Sequence, residues 1–127
     1  MKKALAFILL LALGTTTVSA AVRGTATFYC SDGRDGSPVS RCTRGFGPSD
    51  LVGAIDRKDS TYRKGDFVKV SHEGKSVTVL IVDTCACGGD RLIDLTIGAF
   101  QHLAPWGAGE IRVKLSNAGL PATDTQP

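Results

Sequence analysis

Residues 74–96 read GKSVTVLIVDTCACGGDRLIDLT, and the fold turns on how this stretch is parsed. Ser76 to Asp83 is dense in β-branched residues behind a glycine, which predicts the strongest strand of the chain. It ends in a carboxylate, Asp83, and runs at once into Cys85 and Cys87 and then the turn formers Gly88-Gly89. A shorter apolar segment, Leu92 to Leu95, carries a second aspartate, Asp94, eleven residues after the first. On the other side, His72 to Lys75 predicts a hairpin turn leading back to Phe67-Val68-Lys69-Val70, where apolar and polar residues alternate.

Working outward, the remaining segments are also β-rich. Gly24 to Cys30 (GTATFYC) is rich in threonine and aromatics. Residues 31–50 hold Gly, Ser, Pro, Asp and Arg with no apolar period, so they predict a long loop pinned by cysteines at both ends. Leu51 to Ile55 predicts a short buried strand, and Asp56 to Lys64 a polar connection. Thr96 is placed to cap a short helix from Ile97 to Ala104, with Phe100 and Leu103 on its buried side and Pro105 as its stop. Phe67 and Phe100 are expected in the core. Glu110 to Leu115 alternates again and forms the last strand. Five or six short strands with one short helix make a mainly-β barrel the natural class.

The ends of the chain differ from the middle. Lys2-Lys3, the apolar run Ala4 to Leu13 and Val18-Ser19-Ala20 predict a signal peptide over residues 1–20. Removing it leaves 107 of the 127 residues, one compact domain (residues 21–116), followed by a loose polar tail at 117–127. Two lysines leave with it, so 15 basic residues become 13 against 12 acidic, a net charge of +1. That balance excludes a strongly cationic nucleic-acid binder, and the apolar run is too short to span a membrane. No cysteine stands at residues 14–21 to accept a lipid. The expected product is a secreted, unanchored monomer.

Four cysteines, Cys30, Cys42, Cys85 and Cys87, in a small exported chain read as two disulfides rather than a metal site, since Cys30 and Cys42 fit no common zinc spacing. A Cys85–Cys87 bridge needs a tight ring and is set aside. That leaves Cys30–Cys85 with Cys42–Cys87, or Cys30–Cys87 with Cys42–Cys85. Neither a metal nor a cofactor is expected.

Four motifs in order carry a resemblance: G-x-A-T-F-Y at 24–29, G-K-S-V-T-V with I-V-D-T-C at 74–85, I-D-L-T leading into A-F-x-x-L-A at 93–104, and G-x-I-x-V at 109–113. Together they resemble the double-psi β-barrel family of rare-lipoprotein-A-like proteins, expansins, barwin-like proteins and related endoglucanases. The resemblance implies a six-stranded double-psi barrel with one short helix. It also implies a polysaccharide groove lined by Asp83 and Asp94. Asp94 matches the proton donor of the barrel endoglucanases, and Asp83 a catalytic acid of lytic transglycosylases. Paired carboxylates suit glycoside chemistry, one protonating the leaving oxygen while the other stabilises positive charge.

Those transglycosylases also carry a histidine in an A-H-x-x-L-P segment where this chain reads Gly53-Ala54-Ile55-Asp56, and D-R-G-P where it reads Asp83-Thr84-Cys85-Ala86. No histidine precedes Ser71 to replace it. The enzyme reading is therefore open, with Asp83 as acid/base if there is turnover.

Each aspartate also has an ordinary structural use. Asp94 can accept amides near the helix start, and Asp83 can bind the amides of the following loop. His72 is expected solvated at a hairpin tip, and His102 in packing or capping. Tyr29, Tyr62 and Trp106 are the candidate sugar platforms, with Tyr62 and Trp106 exposed. Arg41, Arg44, Arg57, Lys58, Arg63 and Lys64 concentrate positive charge in two loops that can steer an anionic polymer. Two function classes follow. One is a protein that binds or remodels cell-wall glycan, peptidoglycan first. The other is a secreted cysteine-protease inhibitor using the Cys30–Cys42 loop.

Overall fold

The computed structural model describes residues 21–59 and 61–118. The expected signal peptide, and the tail from residue 119, lie outside the described residues. Six strands form: β1 (Val22–Tyr29), β2 (Val52–Asp56), β3 (Phe67–His72), β4 (Lys75–Cys85), β5 (Arg91–Thr96) and β6 (Ile111–Asn117). They close a barrel in the order β1-β5-β2-β4-β3-β6. β1–β5 and β2–β4 pair in parallel and the other contacts are antiparallel. This is the six-stranded double-psi barrel with one short helix that the motifs imply. Closure leaves no free sheet edge to be covered.

Strand parity fills the core. Val68 and Val70 on β3, Val77, Val79 and Ile81 on β4, and Ile111, Val113 and Leu115 on β6 all turn inward. The same parity puts Phe67 outside, 46% exposed, which corrects its expected place in the core. In Phe-Val-Lys-Val the two valines take the inner face, so the aromatic shares the outer face with Lys69. The β3–β4 hairpin closes through Glu73 and Gly74, both at positive φ (44° and 82°), the geometry a two-residue turn needs to match strand twist. β6 runs through Asn117, which pairs with Val68, one residue beyond the domain end expected from sequence.

The one α-helix among the described residues, α1 (Ile97–Gln101), begins as expected: the Thr96 hydroxyl accepts from the Ala99 amide at 3.3 Å. It ends sooner. Leu103 and Ala104 both donate to the Phe100 carbonyl, which closes the turn ahead of Pro105. Phe100 and Leu103 still reach the core. Gly98 donates to the Pro48 carbonyl at 2.9 Å, and a Cβ there would fall 2.5 Å from that oxygen. Only glycine lets α1 lie this close to the loop after β1.

The disulfides are Cys30–Cys42 and Cys85–Cys87, which corrects both expected pairings. The reason is register. Cys85 is opposite Asp56 on β2, and the neighbouring Ile55 is level with Ile93 and, through it, with Ala26. Cys85 therefore stands near the level of Thr25, about five residues or roughly 16 Å along β1 from Cys30. Disulfides need Cα atoms within about 7 Å. Locally, Cys30 leaves β1 with φ 64°, and Ser31 pairs with Ser40, whose amide donates to the Ser31 carbonyl at 2.9 Å. That brings the Cα atoms of Cys30 and Cys42 to 4.1 Å. Cys85 and Cys87 sit 5.1 Å apart at Cα, within ordinary disulfide range, so the small ring is no obstacle.

Proteolytic mapping without reduction should recover Cys30 linked to Cys42 and Cys85 linked to Cys87. A peptide joining the first pair to the second would contradict this topology. Removing Cys30–Cys42 by double alanine substitution should cost about 3 kcal/mol in chemical denaturation, and removing Cys85–Cys87, which closes a far smaller loop, less than about 2 kcal/mol.

Candidate functional site

Four strands each contribute one residue to a single row. Thr27 on β1 is opposite Asp94 on β5, Asp94 is opposite Ala54 on β2, and Ala54 is opposite Asp83 on β4. The two aspartates flank Ala54, with Cα atoms two strand spacings or about 10 Å apart. Between them stands only a methyl group.

Two register shifts make this row possible. β4 slips by one residue at Val82, between the pairs Gly53–Ile81 and Ala54–Asp83. β5 slips at Leu92, between Thr25–Arg91 and Ala26–Ile93. Ile81 faces the core, so unbroken alternation would turn Asp83 inward as well. The extra residue reverses the parity and leaves the Asp83 carboxylate half-buried on the outer face. A bulge re-aims a side chain in this way.

Hydroxyl groups tie the carboxylates down. Thr27 Oγ1 donates to Asp94 Oδ1 at 3.0 Å. Thr43 Oγ1, from the loop after β1, donates to Asp83 Oδ2 at 3.2 Å. The Tyr29 hydroxyl lies 2.7 Å from Thr43 Oγ1, and donates to it when the Thr43 proton is engaged on Asp83. Asp83 Oδ1 accepts the Thr84 amide at 2.8 Å, the turn contact expected for an aspartate there. Asp94 differs from its ordinary structural reading: Thr96, two residues on, caps the helix.

Electrostatics separate the groups. Burial raises the Asp94 carboxyl above the usual aspartate value, outweighing the Thr27 hydrogen bond and the positive charge of Arg91. Burial also raises the Tyr29 phenol; the Thr43 hydrogen bond opposes this, and the negative charges of Asp83 and Asp94 add to it. A carboxyl that holds its proton to higher pH is suited to donating a hydrogen bond or a proton to a glycosidic or hydroxyl oxygen.

The structure brings Tyr29, Asp83 and Asp94 together and places the other platforms elsewhere. Tyr62, expected exposed, is 7% exposed and packs in the core, with its hydroxyl unpartnered. Trp106 is half-exposed in a short 3-10 turn (Trp106–Ala108). A Cβ at Gly36 would lie 3.9 Å from Trp106 Cζ2, which sets the ring against the Cys30–Cys42 loop. His102 closes α1 as its C-cap, as expected. His72 is not solvated: its side chain is 13% exposed and its Nδ1–H donates to the Arg112 carbonyl at 2.7 Å. Thr27, Thr43 and Ala54 were not singled out from the sequence. Thr27 shares the outer face with Tyr29 two positions on, a signal present in the strand. Thr43 lies in an aperiodic loop and gives none.

Comparison with known proteins gives one family and several structures. The lytic transglycolase family profile matches residues 21–115. No curated protein matches by sequence. A Streptomyces papain inhibitor is similar at 25% identity and TM-score 0.55, over 79% of this chain and 96% of that one. A mutant Clavibacter michiganensis expansin in complex with cellohexaose is similar at 20% identity and TM-score 0.57, over 85% of this chain. The match spans only 54% of the expansin. Cerato-platanin 3 from M. perniciosa is similar at 19% identity and TM-score 0.52, over 82% of this chain and all of that one. Among the described residues, no helix is long and apolar enough to cross a membrane.

The raised Asp94 carboxyl makes stability depend on pH. Its contribution is fully present below the unfolded carboxyl value, near 3.9, and is lost as pH rises through the higher folded value. Asp94→Asn is neutral throughout and still accepts from Thr27. It should melt higher than wild type at pH 7, and the gap should vanish by about pH 3. A gap of the same size at both pH values would show that burial does not act on this charge.

Proposed function

This chain belongs to the lytic transglycolase family of double-psi β-barrels, and from that premise we propose that it binds cell-wall glycan, peptidoglycan first, along the Asp94–Ala54–Asp83 row. The carrying observation is the row itself: two carboxylates and a tyrosine on one outer face, one carboxyl pushed toward its protonated form by burial. Asp94 donates to or accepts from sugar hydroxyls at one end and Asp83 accepts at the other. Tyr29 offers a ring beside them, and Arg41 and Arg44, close to Thr43 and exposed, supply positive charge for an acidic wall polymer.

The same row argues for binding over turnover. A lytic transglycosylase needs no covalent nucleophile, because the sugar's own hydroxyl attacks, but it needs a positioned proton shuttle. The histidine that the resemblance brings to the Gly53–Asp56 segment has no counterpart there, and the residue of that segment between the two aspartates is Ala54. A methyl group moves no proton. Loss of one positioned acid–base group typically costs 10²–10⁴ in rate.

Sedimentation with insoluble peptidoglycan should retain the wild-type protein at low salt, and Asp94→Asn should reduce retention about tenfold, the scale of one lost hydrogen bond to a charged group. Mass spectrometry of the supernatant should find no anhydro-muropeptides above background. Absence of retention would remove the glycan reading. Robust release that disappears in Asp83→Asn would replace binding with catalysis.

A second reading rests on a different observation. The Cys30–Cys42 loop is clamped at its base by the disulfide and the Ser31–Ser40 bridge, and holds Val39, beside that bridge, 76% exposed. A rigid loop presenting one apolar side chain is a form that fills a protease cleft with little ordering cost, and the similar Streptomyces protein is a papain inhibitor. Titration of papain at micromolar protein decides it. Inhibition weakened at least about tenfold by Val39→Asp, the cost of carrying a charge into an apolar cleft, supports this reading, and undiminished papain activity with wild type ends it.

A further inference from the structure

The barrel wall made by β3, β6 and the start of β1 carries a concavity of about 380 Å³, lined chiefly by Arg23, Ser71, His72, Glu73, Arg112 and Lys114. Strand parity builds it. Ile111, Val113 and Leu115 face the core, so Arg112 and Lys114 face out. Arg23 on β1 is directly opposite Lys114, which on its other side is opposite Ser71 on β3. Two cations thus stand one strand spacing apart, about 5 Å, with no carboxylate between them. Directly opposed like charges destabilise a sheet, so this pairing has a standing cost. Arg112 is the next outward residue on β6, about 7 Å from Lys114.

The nearby carboxylates neutralise little of this. Asp90 is 3.7 Å from the Arg112 guanidinium, and both side chains are largely exposed. Glu73 is turned toward His72 Nε2 at 3.8 Å. His72 makes the wall rigid: its bond from Nδ1 to the Arg112 carbonyl ties the hairpin turn on β3 to β6. The result is a preformed hollow with three cations in an L and a histidine at its side.

We propose that this hollow is a second binding site, taking a chain polymer with regularly spaced oxyanions. Guanidinium forks hold phosphate or carboxylate oxygens in pairs, and an ammonium adds a point charge without demanding geometry. Lys114 and Arg112 along one strand can be engaged together by a polymer, where a lone anion meets only part of the set. The site is distinct from the aspartate row: Arg23 stands four residues before Thr27 on β1, and β3 and β6 contribute nothing to the row.

The experiment is calorimetry of the whole protein at low ionic strength with long-chain inorganic polyphosphate, with polygalacturonate, and with inorganic phosphate alone. One of the two polymers should bind, which identifies phosphate or carboxylate as the preferred oxyanion, and affinity should fall steeply as salt is added. Arg23→Gln with Lys114→Gln should weaken binding at least about tenfold and flatten the salt dependence, because two charge contacts are lost. Arg34→Gln removes charge from an exposed loop elsewhere and should change affinity less than about threefold. An equal loss in Arg34→Gln would overturn the site, leaving only net charge. So would binding of neither polymer, or monomeric phosphate binding as tightly as the chain.

Discussion

One-residue shifts in two parallel strand pairs govern the surface of this barrel. At Val82 and at Leu92 an extra residue enters the ladder, and beyond it Asp83 and Asp94 stand level with Ala54. Every other property of the aspartate row depends on this. Without the shift at Val82, Asp83 would follow the parity of Ile81 into an apolar core, where an unpaired carboxylate is strongly disfavoured. With both shifts, Asp83 and Asp94 face the same groove across Ala54, close enough that both raise the Tyr29 phenol.

The groove is thus held by backbone pairing, and the side chains that refine it are small and neutral. Threonine hydroxyls at 27 and 43 hold the carboxylates without a compensating cation in contact. That choice keeps the Asp94 carboxyl high, since Arg91 only partly offsets the effect of burial. An arginine in place of Thr27 would neutralise Asp94 and abolish its readiness to donate. The cost of leaving a half-buried carboxylate without a cation is local destabilisation, of the kind that gathers at functional sites. Gly98 supports the arrangement from a distance, since the close approach of α1 to Pro48 anchors the loop that carries Thr43.

The strands, the Thr96 cap and the two aspartates were readable from residues 24–115 because they depend on local pattern: β-branched runs, Ser/Thr caps and glycine turns. The disulfides were not. Their pairing follows from which strand ends share a level of the barrel, and no spacing in the sequence encodes the distance between Cys30 and Cys85. Phe67 and Tyr62 failed in opposite directions for one reason. Aromatic character favours the core and a charged neighbourhood favours solvent, but strand parity put Phe67 outside and loop closure put Tyr62 inside. His72 hid its role likewise: a hairpin tip looks solvated until β6 supplies a carbonyl beside it. The row itself was half legible, with both carboxylates visible and the threonines and Ala54 that set their spacing silent.

The account rests on Asp83 and Asp94 sharing one glycan groove, and carboxyl-detected NMR of the folded protein tests that directly. Soluble peptidoglycan fragments titrated into labelled protein should shift the side-chain carboxyl signals of Asp83 and Asp94 together, with one binding curve, along with the Tyr29 ring and the Thr43 methyl. Glu73, in the β3–β4 turn, and Asp90, just ahead of β5, should stay in place. Shifts confined to Glu73, Asp90 and the Cys30–Cys42 loop, with both groove carboxyls unmoved at saturating fragment, would contradict it.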